Sequence, residues 1–209
     1  TDVSYDRLSP CYDILTAPER RLETAALDML APREGECVLE IGCGTGRALV
    51  RVAERVGENG EACGVDRSPR MVRRARRRIR TRGLSPRAAV LPADARRLPF
   101  PPGRFDALFL SFTLELFDAQ EIPAVLRECR RVMRPDGRLA LVSLSAEGGP
   151  SPLRGLYRGA RRVFPSVLDC RPIAAARVLR ENGLRPVVAK RRLLWGMPVE
   201  VVVAGMGEV

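Results

Sequence analysis

A chain of 209 residues, 45% hydrophobic and 29% charged, has the composition of one globular domain with a proper core. It holds no histidine, and its six cysteines form no C-x-x-C pair, so no metal site is expected and any proton transfer must use carboxylate, Tyr, Cys or Lys. The net charge of +11 permits nucleic acid or an anionic membrane as a partner, but Lys190 is the only lysine, and so uniform an arginine bias says little about ligands.

The start of the chain, "TDVSYDRLSP", has early acids and no apolar core of a signal peptide. No apolar run approaches the length of a membrane span. The expected location is the cytoplasm, with the cysteines as small buried hydrophobes in a reducing compartment. In chain order, Cys37–Gly42 reads as a short strand ending in glycine, and Ala48–Val56 has helical spacing. Glu61–Asp66 reads as a second strand. Ser68–Thr81 reads as a helix with Ser68 as N-cap and Pro69 at its first position. The arginines within 70–82 are read as its solvated face. Ala88–Leu91, Ala107–Leu110 and Leu139–Leu144 fit strands, with a helix over Gln120–Met133 ended by "RPDG". "RPVVAKRRLLWGMPVEVVVAG" reads as two strands around a tight Gly-Met-Pro turn. Repeated strand–helix units predict an α/β, doubly wound, mostly parallel sheet with helices on both faces and a C-terminal hairpin.

In such a sheet, ligands bind at the carboxyl ends of the strands where the order reverses. The loop of "VLEIGCGTGRALV" belongs there, with Gly42, Gly44 and Gly46 in the pattern G-x-G-x-G. A dinucleotide loop reads G-x-G-x-x-G, and its third glycine would fall at Arg47. Glu40, at the strand end, would repel a pyrophosphate and favour a ligand carrying ammonium and sulfonium groups, such as S-adenosylmethionine (SAM). Asp66 ends the next strand, where an acid commonly accepts ribose hydroxyls. Arg67 beside it could read a 2′-phosphate, which keeps NADP as an alternative. Asp94 stands where a carboxylate could accept the adenine amino group, and the fourth strand delivers Ser111 and Phe112 to the same rim.

Four stretches in this order, "VLEIGCGTG", "GVDRSPRMVRRAR", "ADARRLPFPPGRFDALFLSFTLELF" and "ECRRVMRPDGRLALVS", resemble the class I SAM-dependent methyltransferases over residues 35–145. The resemblance implies a Rossmann-like, seven-stranded sheet with a reversed last strand. It places Glu40, Gly42, Cys43, Gly44 and Gly46 at the methionine end of the cofactor. Asp66 would hold the ribose with Arg67 and Met71 nearby, Asp94 and Ala95 would frame the adenine, and Ser111 and Phe112 would lie beneath the sulfonium. "YDRLSPCYDILTAPERR" and "FPSVLDCRPI" are similar to segments of the ubiquinone/menaquinone-biosynthesis C-methyltransferases and related phospholipid N-methyltransferases. That likeness implies a tyrosine reaching the cofactor carboxylate, Tyr12 first and Tyr5 second. The competing reading has both tyrosines packing the N-terminal helix on the sheet.

The expected organisation is a single domain over 1–209, with an N-terminal helical cap at 1–34 and a substrate-cap insertion at 146–171. Methyl transfer is an in-line displacement, driven largely by alignment. A hydroxyl or aromatic-carbon acceptor usually needs a base. Glu115 is favoured because it follows the fourth strand, with Asp118, Asp13, Tyr5 and Tyr12 as further candidates. "SPLRGLYRGARRVF" puts Leu153, Leu156, Tyr157, Ala160, Val163 and Phe164 on one helical face, and Arg154, Arg158, Arg161 and Arg162 elsewhere. It is read as a lid over an apolar pocket, with Leu156, Tyr157 and Tyr5 as acceptor-side residues, or as a surface for peripheral contact with an anionic membrane. The acceptor expected is a small lipophilic molecule such as a quinone or lipid. An RNA methyltransferase and a SAM-binding protein without transferase activity are the alternatives.

Overall fold

A computed structural model describes residues 17–147, 171–194 and 196–207. Helix α1 (Ala17–Leu30) precedes β1 (Cys37–Ile41), α2 (Arg47–Val56), β2 (Glu61–Asp66), α3 (Pro69–Thr81) and β3 (Ala88–Pro92). Then come β4 (Phe105–Ser111), a single 3-10 turn (Leu114–Leu116), α4 (Ile122–Val132), β5 (Met133–Leu144), α5 (Ala175–Glu181), β6 (Leu184–Leu194) and β7 (Met197–Met206). The strands form one seven-stranded sheet in the order β3-β2-β1-β4-β5-β7-β6. β1 to β5 are parallel neighbours, and β7 runs antiparallel to both β5 and β6. The doubly wound sheet with a C-terminal hairpin is therefore present.

Each face carries its own core, because alternate residues of a strand point to opposite sides. On one face Val38, Ala62, Ala107, Phe109 and Val201 pack against Leu27 of α1, Val52 of α2 and Ile79 of α3. On the other, Leu39, Val65, Leu108, Leu141 and Val202 pack against Leu126 of α4 and Leu179 of α5. β1, β2 and β4 are consequently apolar along nearly their whole length, as a sheet covered on both sides requires. The strand order reverses between β1 and β4, the place where ligands bind in doubly wound sheets. Ser68 caps α3 by accepting from the Met71 N–H at 3.4 Å, with Pro69 opening the helix.

The hairpin turn differs from expectation. Only positions 195 and 196 separate β6 from β7, since Leu194 is already opposite Met197 and Leu193 opposite Pro198. Gly196, at φ +78°, supplies the left-handed residue a two-residue hairpin loop needs; Met197 and Pro198 belong to the strand. "RPDG" follows directly on the end of α4, as expected. Arg134–Gly137 form a bulge inside β5, between the Phe105–Met133 and Ala107–Arg138 pairs, and Asp106 accepts from the Arg134 guanidinium. Of the residues singled out from the sequence, Tyr5, Tyr12, Asp13, Leu156, Tyr157, Arg158, Arg161 and Arg162 lie outside the described residues, as do most of the 146–171 insertion and residues 1–16 of the N-terminal cap.

Candidate functional site

The loop after β1 is tied to the end of β2. Gly42 and Cys43 both donate their N–H groups to Val65 O, at 2.8 and 2.9 Å. Gly44 N–H donates to Asp66 Oδ2 at 2.8 Å, and Asp66 Oδ1 accepts from Ser68 N–H at 2.8 Å. A phosphate cradle needs successive backbone N–H groups aimed at the anion; here three in a row are committed to the protein. The glycines are needed for separate reasons. A Cβ on Gly42 would come within 2.3 Å of Thr113 Oγ1, so this position lets the loops after β1 and β4 meet. Gly44, at φ +52°, has nothing within 4 Å of its absent Cβ and faces open space. Cys43 is buried beneath the loop.

From α3, Arg78 reaches over to donate to Thr45 O at 2.7 Å and to Thr45 Oγ1 at 2.6 Å. Arg76 Nε donates to Val90 O at 2.9 Å. These two arginines clamp the loop and β3, which corrects the reading of 70–82 as a purely solvated face. Met71 is half-buried behind Asp66, and Arg67 is exposed. Past β3, Asp94 is held by Arg96, whose Nε lies 3.0 and 3.1 Å from its two oxygens; the same arginine pairs with Glu121. The Arg96 hydrogen bonds hold the Asp94 carboxyl below its usual range. Ala95 is buried beside it. After β4, Phe112 adopts φ +49°, and Thr113 Oγ1 donates to Ser111 O at 3.0 Å. The buried Ser111 Oγ has no hydrogen-bond partner.

The rim is lined with carboxyls. Glu40 is buried, with Oε2 unpartnered; burial, together with the charges of Glu23 and Asp66, raises its pKa well above the usual value, against the Leu49 N–H. Burial also raises Asp66, against its two backbone N–H donors. Glu115 sits in the 3-10 turn, fully buried rather than on a solvent face. Its Oε1 accepts from Leu144 N–H at 3.0 Å and its Oε2 has no partner. Burial pushes this carboxyl up to about 7, with Glu19 adding to the shift. Asp118, the other carboxylate of this stretch, is exposed and ion-paired with Arg171.

Helix α1 brings two acids that the sequence reading passed over. Glu19 and Glu23 stand one turn apart, flanking the buried Leu22. Glu19 is raised to about 7 by burial and by Glu23. Glu23 is raised by burial and drawn back by Arg51 and Arg20. Their i, i+4 spacing beside Leu22 and Ala26 was the available signal. Described residues on either side of 148–170 meet at this rim: Ala146 N–H donates to Ile173 O and Ile173 N–H to Leu144 O, both at 3.0 Å, and Arg171 N–H donates to Glu115 O at 2.9 Å.

The methyltransferase-domain family model matches residues 38–137, which contain the loop, Asp66, Asp94 and Glu115. The nocamycin O-methyltransferase of Saccharothrix syringae is 37% identical over 177 residues, covering 82% of this chain and 60% of that one. The demethylmenaquinone methyltransferase of Thermus thermophilus is 32% identical over 165 residues, covering 77% of this chain and 70% of that one. The chain thus spans about three fifths of the nocamycin enzyme and 62% of a 2-phytyl-1,4-naphtoquinone methyltransferase from Trichormus variabilis. In fold, a SAM-dependent methyltransferase from Aquifex aeolicus superposes with a TM-score of 0.68 at 24% identity, over 87% of this chain and 88% of that one.

Proposed function

The chain belongs to the class I SAM-dependent methyltransferase family, and from that premise we propose that it transfers the methyl group of SAM to a small, lipophilic acceptor. The observation that carries this reading is the buried Glu40 carboxyl, with one oxygen unpartnered, at the end of β1 beside the open face of Gly44. A carboxyl buried without a counter-charge is costly. An ammonium group placed against it relieves that cost, and SAM carries one. Asp66 has one hydrogen bond on each oxygen, which leaves a lone pair on each for the ribose hydroxyls. Ser111 and Phe112, across from Gly42, would then border the sulfonium. Asp94 would meet the adenine amino group once Arg96 turns toward Glu121.

NADP is the competing ligand for a glycine loop. The committed N–H groups of Gly42, Cys43 and Gly44 and the negative rim both argue against a pyrophosphate there. Assigning acceptor selection to the N-terminal residues 1–34 and to 146–171 is supported by where the latter segment is anchored, over Glu115 at the carboxyl ends of β4 and β5. The relatives' printed names include quinone and antibiotic methyltransferases, which favours a small acceptor over RNA. No described helix is long and apolar enough to cross a membrane; peripheral contact through the basic stretch 151–164 belongs to the same proposal. Titration calorimetry tests the central point. SAM and its demethylated product are expected to bind and NADPH is not; stabilisation by NADPH alone overturns the assignment.

A further inference from the structure

We propose that Glu115, supported by Glu19, is the base that takes the proton of the acceptor, and that the acceptor is therefore a phenol or hydroquinone oxygen rather than an amine. The proposal rests on the methyltransferase reading above and goes further by naming the acceptor class. Three observations carry it. First, Glu115 is positioned by the backbone: its Oε1 is fixed by the Leu144 N–H at 3.0 Å, at the exit of β5 and one turn past the Ser111–Phe112 edge. Second, its Oε2 is buried and unpartnered. A buried oxygen in native protein is nearly always hydrogen-bonded, so Oε2 lacks the donor that a bound hydroxyl supplies. Third, among the described residues the one charged group that acts on it is an acid, Glu19. Leu144 N–H comes from β5 and Glu19 from α1, and Glu19 in turn faces Glu23. Three arginines are engaged elsewhere: Arg51 and Arg20 act on Glu23, and the Arg171 guanidinium is on Asp118.

That acidic setting separates the acceptor classes. Carboxyls around an amine stabilise its ammonium form, which has no lone pair to attack with. A neutral hydroxyl carries no charge for them to hold and has one proton to give up. In the step, the oxygen lone pair forms the bond to the methyl carbon while the carbon–sulfur bond breaks, its electron pair staying on sulfur as the sulfonium becomes a thioether. The O–H proton passes to Glu115 Oε2 and on to solvent by way of Glu19. Charge and atoms balance: one cationic cofactor and one hydroxyl give one ether, one neutral thioether and one proton. Burial, with Glu19 adding to it, holds Glu115 at about 7, where a base serves weakly acidic hydroxyls without being fully protonated.

The test uses the whole chain with SAM and two probes, naphthohydroquinone and n-octylamine. Methylation of the hydroquinone is expected, with a rate that rises with pH through about 7 and then levels. Glu115→Gln should lower kcat by about 10²–10⁴-fold and leave SAM affinity unchanged by calorimetry, while Glu115→Asp recovers part of the rate. Glu19→Gln should move the rising limb to lower pH, since a neighbouring negative charge is gone, and lower the plateau, since the relay to solvent is gone. A readout without acceptor runs alongside: carboxyl-labelled glutamate followed by NMR should show two groups titrating near neutrality, one lost in Glu115→Gln and the other in Glu19→Gln, where the Glu115 signal that remains shifts down. The inference is overturned by octylamine as the better acceptor, by a wild-type rate in Glu115→Gln, or by the absence of the titrating group assigned to Glu115. Failure of the wild-type protein to bind SAM overturns the underlying reading instead, and calorimetry separates the two.

Discussion

The two ends of the sheet treat the same residue types in opposite ways. At the amino ends of the strands, Glu36, Glu61 and Asp106 each have an arginine. Glu61 accepts two hydrogen bonds from Arg104, both at 2.9 Å. Glu36 accepts from Arg138 at 2.7 and 2.9 Å, and Asp106 pairs with Arg134 and accepts from Cys37 N–H. Burial pushes Glu36 and Glu61 up, but hydrogen bonds and cation charge bring both below the ordinary carboxylate value. At the carboxyl ends, Glu19, Glu23, Glu40, Asp66 and Glu115 are all raised, with burial the largest cause in each. In a protein of net charge +11, arginines are not scarce. Glu36, Glu61 and Asp106 are paired within the fold; at the other end Asp94 and Asp118 have arginines too, but Glu40 and Glu115 each keep an unpartnered buried oxygen, the place proposed above for ligand groups.

Removing one side of a pair at the amino end should give the largest stability effect. Arg138 also donates to Leu30 O and Ala31 O, both at 2.6 Å, so it joins the end of α1 to β5. Arg138→Ala leaves Glu36 and two carbonyls without that donor and should cost about 3 kcal/mol, read by denaturant unfolding, with SAM affinity unchanged. Equal stability in the variant removes the contrast between the two ends. Asp66→Ala should act the other way round. It removes a charge-assisted acceptor worth about 1.5–3 kcal/mol toward the ribose and releases Gly44 N–H, so SAM binding should weaken by roughly 10–150-fold in calorimetry.

Glu40→Gln sharpens the comparison through its sign. A carboxyl whose folded pKa is raised contributes stability below its unfolded value, near 4.5, and loses it as pH climbs through the folded pKa. The ligand-free variant should therefore match wild type near pH 4 and melt higher near pH 8. Its SAM affinity should fall, by about tenfold if one charge–charge contact is lost. In the wild type, an ammonium beside Glu40 favours the ionised carboxyl, so SAM binding should release protons, seen as a dependence of calorimetric enthalpy on buffer ionisation. No proton release defeats the placement of the ammonium. Across the whole molecule, ligand-free melting temperature should fall between about pH 4.5 and 7, the window set by Glu19 and Glu115, and should fall again on the acid side, where Glu36 and Glu61 lose their charge.

Much of this was legible along the chain, because it rests on local signals. The strand–helix alternation, the Ser68–Pro69 helix start and the placement of Glu40, Gly44 and Asp66 each follow from a few adjacent residues. What was missed depends on tertiary contact. Arg78 looks solvated within an arginine-rich helix until α3 is laid beside Thr45. Thr113 has no role until its side chain meets Gly42. Glu19 and Glu23 become site residues only when α1 lies across β5 with its first turn at the rim. "RPDG" marks the end of α4 as expected, but its place as a bulge inside β5 shows only once β4 pairs on either side of it. Glu115 was identified by its place after β4, but its burial could not be read from "SFTLELF".

The smallest expected effect on cofactor affinity concerns the segment whose two ends are fastened over Glu115. If 146–171 governs the acceptor, Leu156→Ser with Tyr157→Ser should leave SAM affinity within about threefold, since tenfold corresponds to about 1.4 kcal/mol and no contact to the cofactor is removed. Turnover of naphthohydroquinone should fall, because an apolar wall is lost at roughly 25 cal/mol per Å². Membrane contact makes a separate demand. Arg158, Arg161 and Arg162 changed together to Gln should weaken co-sedimentation with anionic vesicles, and added salt should weaken it in the wild type. Vesicle binding unaffected by either change removes the membrane from the proposal and leaves the acceptor role standing. Loss of SAM affinity in the Leu156/Tyr157 variant instead assigns the segment to the cofactor side, and the acidic rim would then have to select the acceptor without it.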